Sequence, residues 1–327
     1  MERVAALQEL FIARLEREAL RISQKEPVNL YIPVKYILDI GGKRLRPAMV
    51  LLANELYGGN QEDALKAALS VEIFHNFTLL HDDIMDNAAI RRGKPTVHEK
   101  YDANTAILSG DAMSIHAYEY LLQCKSKNIM SIIKLFTRTA IEVCEGQQYD
   151  MDFETRIDVT ADEYLEMIRL KTAVLLACCF KTGALVADAS TKDADLMYDF
   201  GINLGLAFQL QDDYLDTYGD QTVFGKRIGG DILCNKKTYL LIHALKNSSD
   251  KLREELLFWI NRTEFDDDEK ITAVKTIYDE IGVATTNQRA INNYYDKALA
   301  CLQKLDLAEE KKATLYKLAE SILLRNK

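Results

Sequence analysis

After Pro95 the chain contains no proline. The four prolines, Pro27, Pro33, Pro47 and Pro95, all fall in the first third of 327 residues. About two-thirds of the chain therefore lacks an obligate helix breaker. The six cysteines show no CxxC spacing, which excludes the usual thiolate metal knots and leaves reduced thiols, as in a cytosolic protein. Basic residues are outnumbered by acidic ones, 41 to 50, giving a net charge of -9. That balance excludes a general nucleic-acid-binding surface. The longest apolar run, Ala173 to Phe180, is far too short to span a bilayer, and Met1 to Leu20 is charged throughout rather than built like a signal peptide. A soluble cytoplasmic protein without a membrane span is expected.

What remains reads as helix. Apolar residues recur at steps of three and four, as in Tyr164, Leu165, Ile168, Val174, Leu175 and Cys178. Period-two alternation is scarce, and no Asn-Gly or Asp-Gly dipeptide signals a hairpin. Breaks are expected at Gly41-Gly42, Gly58 to Asn60, Arg92 to Pro95, Asp188 to Lys192, Tyr218 to Gly230 and Asn247 to Asp250. No Gly/Ser-rich or Pro-rich linker divides the chain, so a single all-α domain over residues 1–327 is expected, a bundle of long helices. The charged stretches Lys251 to Glu255, Asp266 to Lys270 and Glu309 to Lys312 read as solvated helix faces.

Two acidic clusters carry the chemistry. Asp82-Asp83-Ile84-Met85-Asp86 and Asp212-Asp213-Tyr214-Leu215-Asp216 share one spacing. In a helix, residues four apart lie on one face about 6 Å apart, so Asp82 pairs with Asp86 and Asp212 with Asp216. Like charges at that spacing repel, and both clusters stand among apolar residues such as Phe77 and Phe208. A hard divalent cation resolves the conflict. Magnesium prefers carboxylate oxygens and bridges them to substrate phosphates. The loop pattern and central glycine of an EF-hand are missing.

These two DDxxD clusters, with Gly41-Gly42-Lys43-Arg44-Leu45-Arg46-Pro47 before them, Arg91-Arg92-Gly93 between them, and Lys226 and Lys236 flanking Gly229-Gly230-Asp231 after them, stand in a familiar order. From Gly41 to Thr238 the chain resembles the trans-isoprenyl diphosphate synthases, the polyprenyl synthetase family that includes farnesyl and geranylgeranyl diphosphate synthases. The resemblance implies an all-α isoprenoid synthase fold around a central cavity, with metal held by Asp82, Asp83, Asp86, Asp212, Asp213 and Asp216. It implies about three Mg2+ ions per active site with substrate bound. It implies isopentenyl diphosphate on Lys43, Arg46, His75 and Arg92, although the basic turn taken alone says little. It implies the allylic diphosphate on Arg91, Lys171, Thr172, Gln209, Lys226 and Lys236. Asp82, Asp86, Lys171 and Asp212 are the candidate catalytic residues. Gly146-Gln147 with Asp150 resembles the family's GQxxD motif. A homodimer is implied by the resemblance alone.

The reaction so implied is ionisation of the allylic diphosphate, attack by the isopentenyl double bond, and loss of a proton. The absence of any Ser/His/Asp or Cys/His arrangement fits, because no protein nucleophile is required. Product length should be set along the helix that precedes the first cluster. Phe77 lies about 7.5 Å, and Phe74 about 12 Å, up the axis from Asp82. Thr78 stands at the fourth position before the motif and Phe77 at the fifth, and no two residues are inserted in the motif. That combination resembles geranylgeranyl synthases with one aromatic floor, against a farnesyl synthase as the alternative product class. A class I terpene cyclase would usually carry an Asn/Ser/Glu-type second motif, and a non-catalytic subunit would show degraded aspartates; neither feature is present.

Overall fold

The computed structural model describes residues 2–219 and 228–323. The expectation placed on Lys226 lies outside those residues. The chain is all-α, as the missing prolines and the three-to-four spacing imply. In chain order the helices are α1 (Glu2–Ser23), α2 (Val28–Asp39), α3 (Leu45–Leu56), α4 (Gln61–Met85), α5 (Val97–Lys100), α6 (Ala103–Leu122), α7 (Ile129–Glu154) and α8 (Ala161–Ile168). A π-helical turn, Arg169–Ala173, leads into α9 (Val174–Val186). Then come α10 (Thr191–Tyr218), α11 (Gly230–Leu233), α12 (Tyr239–Asn247), α13 (Asp250–Asn261), α14 (Asp267–Ile281), α15 (Val283–Gln303) and α16 (Glu309–Leu323). Among the described residues, no helix is long and apolar enough to cross a membrane.

The residues group into two compact units, Met1–Thr137 with Cys178–Tyr198, and Arg138–Ala177 with Asp199–Lys327. In the first, α1 buries Val4, Leu7, Phe11, Leu15, Ala19 and Ile22, a single stripe at helical spacing. Removing such side chains from water stabilises the unit by about 1.5–3 kcal/mol for each large one. Helix α4 is packed by α3 and α6 and is buried along much of its length. It starts where the Asn60 side chain accepts from the Asp63 N–H at 3.0 Å, an N-cap that occupies one orphan donor.

In the second unit, α8 opens with a capping box. Thr160 Oγ1 accepts from the Glu163 N–H, and the Glu163 carboxylate accepts from the Thr160 N–H at 2.8 Å. Gly201 and Gly205 of α10 let that helix press against Ala177 and Ala173. A Cβ at either glycine would come within 2.4 or 2.6 Å of an alanine Cα.

Two expectations need correction. Arg92-Gly93 makes a two-residue hairpin between β1 (Ile90–Arg91) and β2 (Lys94–Pro95), with φ of 52° and 76°. Positive φ at both central residues matches the twist of the flanking strands, so a turn of this kind forms without Asn-Gly or Asp-Gly. The charged stretches of the last third are also not wholly solvated: Lys270 is 1% exposed and Lys312 6%. Their long apolar stems cover core surface, which charge patterning does not reveal.

Candidate active site

In the first unit the acidic cluster closes α4. Asp82 and Asp83 lie in its last turn, and Asp86 is the C-cap, its N–H donating to the Asp82 carbonyl at 2.9 Å. A helix C-terminus carries partial negative charge, and this one has no basic residue in its last turn. Asp82 is partly exposed and Asp86 exposed, whereas Asp83 is 2% exposed. The Asp83 carboxylate takes both arms of the Arg91 fork, Nε at 2.8 and 2.9 Å and Nη2 at 2.7 Å. Arg91 sits on β1, eight residues beyond Asp83, and reaches back to the end of the helix the chain has just left. The middle aspartate is thus bonded inward, and the i, i+4 pair keeps the outer face.

The basic turn sorts its residues in the same way. Arg44 has φ 48° and turns inward, 7% exposed, to pair with buried Glu72 and donate to the Leu38 carbonyl. Lys43 is exposed. Arg46 stands in the first turn of α3, where the helix N-terminus favours anions. Its Nη1 lies 3.3 Å from His75 Nε2, while its Nε is buried without a hydrogen-bond partner. Burial lowers the His75 pKa well below its ordinary value, and the charges of Arg46, Arg92, Arg91 and Arg44 push it further down. His75 is therefore neutral and can accept from Arg46. Arg92 donates to the Gly41 carbonyl and lies against Gly42, where a Cβ would meet its guanidinium at 2.6 Å. Gly42, with φ 135°, supplies both the turn and the space for that side chain.

Of the expected floor residues, Phe74 is 2% exposed, between Phe77 and Phe136 at ring distances of 5.5 and 5.2 Å. Phe77 is only partly buried and meets His81 edge-on at 4.8 Å. Thr78 turns its hydroxyl back to the His75 carbonyl at 2.8 Å.

In the second unit the pattern repeats at the end of α10, again with no basic residue in the last turn. Asp212 and Asp216 are partly exposed, and Asp213 is 2% exposed. Asp213 accepts from the Tyr164 hydroxyl and from Gln209 Nε2 at 3.0 Å, and Lys236 Nζ is 3.9 Å away. Thr172 Oγ1 donates to Gln209 Oε1 at 3.1 Å, which extends the chain of bonds. The Asp216 carboxylate accepts from the Asp231 N–H at 2.8 Å. Burial alone would lower the Lys236 pKa, but the carboxylates of Asp213, Asp231 and Asp150 raise it, so Lys236 is firmly cationic. Burial lifts the Asp231 carboxyl to about 7 against the opposing pull of Lys236, with Asp213 and Asp216 adding to the rise.

Lys171 and Thr172 occupy the π-helical turn, and Lys171 Nζ reaches Asp150 at 2.5 Å. A π turn inside a helix is a frequent mark of a functional position. Gly146 explains how α7 approaches it. A Cβ there would lie 2.3 Å from the Lys171 nitrogen and 2.7 Å from the Leu170 carbonyl carbon. The structure thus ties Gly146 and Asp150 to Lys171.

Among the described residues no group of three or more His, Cys, Asp or Glu side chains is gathered into a cage able to hold a metal ion. The donor set still fits a hard cation. Each cluster offers two accessible carboxylates at a negative helix end, too few for an all-protein cage and suited to an ion that keeps waters and phosphate oxygens.

A model of the family described as polyprenyl synthetase matches residues 27–281. The chain belongs to the polyprenyl synthetase family. That family uses divalent metal. The chain is 45% identical over 222 residues to a geranylgeranyl diphosphate synthase of Methanosarcina mazei, covering 67% of this chain and 68% of that one. It is 37% identical over 314 residues to a short chain isoprenyl diphosphate synthase of Methanothermobacter thermautotrophicus, covering 95% and 94%. A crystal structure of a geranylgeranyl pyrophosphate synthase superposes with a TM-score of 0.92 at 48% identity, covering 99% of both chains. The all-α fold is thus that of this family.

Sequence reading missed Tyr164 and the inward role of Arg44. A tyrosine on the buried face of an amphipathic helix, in line with Met167 and Ile168, is itself a signal, since a buried hydroxyl needs a partner. The partner, 49 residues away, could not be named from the sequence.

Proposed function

We propose that this protein is a magnesium-dependent short-chain trans-prenyl diphosphate synthase. It joins isopentenyl diphosphate head-to-tail to an allylic diphosphate and forms geranylgeranyl diphosphate. The observation that carries this reading is the division of labour inside both motifs. Asp82 with Asp86, and Asp212 with Asp216, keep an accessible face at a helix C-terminus, while Asp83 and Asp213 are bonded inward to residues assigned to the allylic diphosphate. The relatives named geranylgeranyl diphosphate synthases support the product assignment.

In this reading Asp82, Asp86, Asp212 and Asp216 hold Mg2+, which when bound neutralises the diphosphate and stabilises it as a leaving group. Asp83 fixes the orientation of Arg91. Asp213 fixes Gln209 and, with Asp231, draws Lys236 into place. Arg91, Lys171, Thr172, Gln209, Lys226 and Lys236 bind the allylic diphosphate, and the positive charge of Lys171 and Lys236 answers the charge that develops as the bond breaks. Lys43, Arg46, His75 and Arg92 bind isopentenyl diphosphate. The neutral ring of His75 aligns Arg46 without adding a second positive charge. Phe77, with Thr78 before the motif and Phe74 behind it, limits the growing chain.

The two units act as one domain over residues 1–327, supported by the absence of a linker and by similarity along the full length. The protein works in the cytoplasm as a homodimer. Leu108, Ile115 and Leu122 support a self-association face, being exposed at seven-residue spacing along α6.

The test is product analysis by mass spectrometry. Purified protein is incubated with Mg2+, isopentenyl diphosphate, and dimethylallyl, geranyl or farnesyl diphosphate, with and without EDTA. A geranylgeranyl product that disappears with EDTA is expected, as is loss of condensation in folded Asp82→Ala and Asp212→Ala. A farnesyl product would keep the class and reject the floor. No condensation from any primer would reject the function.

A further inference from the structure

Lys236 is carried by a turn that is fixed from two sides. Helix α11 ends in a Schellman arrangement: Asn235 has φ 53°, its N–H donates to the Ile232 carbonyl at 3.2 Å, and the Lys236 N–H donates to the Asp231 carbonyl at 2.9 Å. Every polar group of Asn235 is taken. Its Nδ2 donates to the Ile260 carbonyl at 3.1 Å, its Oδ1 accepts from Lys270 Nζ at 2.8 Å, and its carbonyl accepts from Lys237 Nζ at 3.1 Å. Lys270 Nζ also donates to the Leu233 carbonyl at 3.2 Å and lies 4.2 Å from the centre of the Phe265 ring. Lys237 Nζ also donates to the Glu154 carbonyl at 3.2 Å, at the end of α7.

Both ammonium groups belong to buried side chains, Lys270 at 1% and Lys237 at 9% exposure. Burying an ammonium is costly, and an apolar side chain of similar length would fill the same space without that cost. What the two ammonium groups add is direction. Together they join the Asn235 turn to α14 and to the end of α7. We propose that Lys270 and Lys237 are positioning residues, which lock the Asn235 turn and so hold Lys236 where its ammonium meets Asp213 and Asp231. This inference rests on the reading of Lys236 as a ligand of the allylic diphosphate.

The experiment is a double-mutant cycle in the full-length enzyme, with Lys270→Met, Lys236→Ala and the pair. Steady-state kinetics are measured separately against the allylic and the isopentenyl substrate. Misplacing a diphosphate ligand by a fraction of an ångström should raise the allylic KM on the order of tenfold. The isopentenyl KM should stay within about twofold, because its ligands belong to the other unit. In the Lys236→Ala background, Lys270→Met should add nothing. Asn235→Gly, which keeps the positive φ while removing the side-chain links, should reproduce the allylic defect if Lys270→Met does not fold. Additive effects in the pair, or equal loss against both substrates, would show a merely structural lysine and overturn the proposal. An unchanged allylic KM in Lys236→Ala would instead overturn the reading on which it rests.

Discussion

Consider removing either half of the Asp83–Arg91 pair. Asp83→Asn keeps the shape and deletes the charge, leaving a guanidinium whose three contacts were made to a carboxylate. Arg91→Met leaves a carboxylate that is 3% exposed without its cation. Breaking a fully buried pair costs about 3–5 kcal/mol. The Arg91 side chain keeps 22% exposure, so water recovers part of that, and about 2–4 kcal/mol is expected for each single change. The unfolding entropy of a 327-residue chain is about 0.7 kcal/mol per kelvin, so each variant should melt about 3–6 °C lower. The double variant strands no charge. Its loss should be well below the sum of the two, with a coupling of about 2 kcal/mol. Thermal melts and urea titrations of all four proteins measure this directly. Strictly additive losses would refute the claim that Asp83 is bonded inward to Arg91.

Phe77→Ala should lengthen the product, read by mass spectrometry; unchanged length would reject Phe77 as the floor. His75 gives a pH signature. Its folded form stays neutral, whereas the unfolded chain takes a proton below about pH 6.5. Stability is therefore present above that pH and lost as pH falls, with a slope approaching about 1.4 kcal/mol per pH unit. Melting temperatures from pH 8 to pH 5 should fall less steeply in His75→Gln than in wild type, and equal slopes would contradict the assignment. Gly146→Ala drives a methyl into backbone that cannot yield, costing about 1–3 kcal/mol and displacing the π turn under Lys171. Wild-type melting and turnover in that variant would show that the close approach does not matter.

The sequence by itself determined the fold class and the two carboxylate pairs, whose like charges raise the expectation of a cation. These follow from local rules: a missing breaker, a 3.6-residue period, and like charges four residues apart. It also picked out the basic turn at Gly41 to Pro47, through its resemblance to the family. It did not decide which of those side chains face inward. Asp83 and Asp82 are neighbours of identical chemistry, as are Arg44 and Arg46 at one remove. Which one is buried depends on groups outside the motif: Arg91 on the strand that follows the helix, Glu72 on another helix, Tyr164 set 49 residues from Asp213. The π turn depends on Gly146 admitting α7, and the burial of Lys270 depends on a turn 35 residues away. Spacing along the chain fixes what a helix presents on each face; only packing decides which face meets a partner, because that partner comes from elsewhere in the chain.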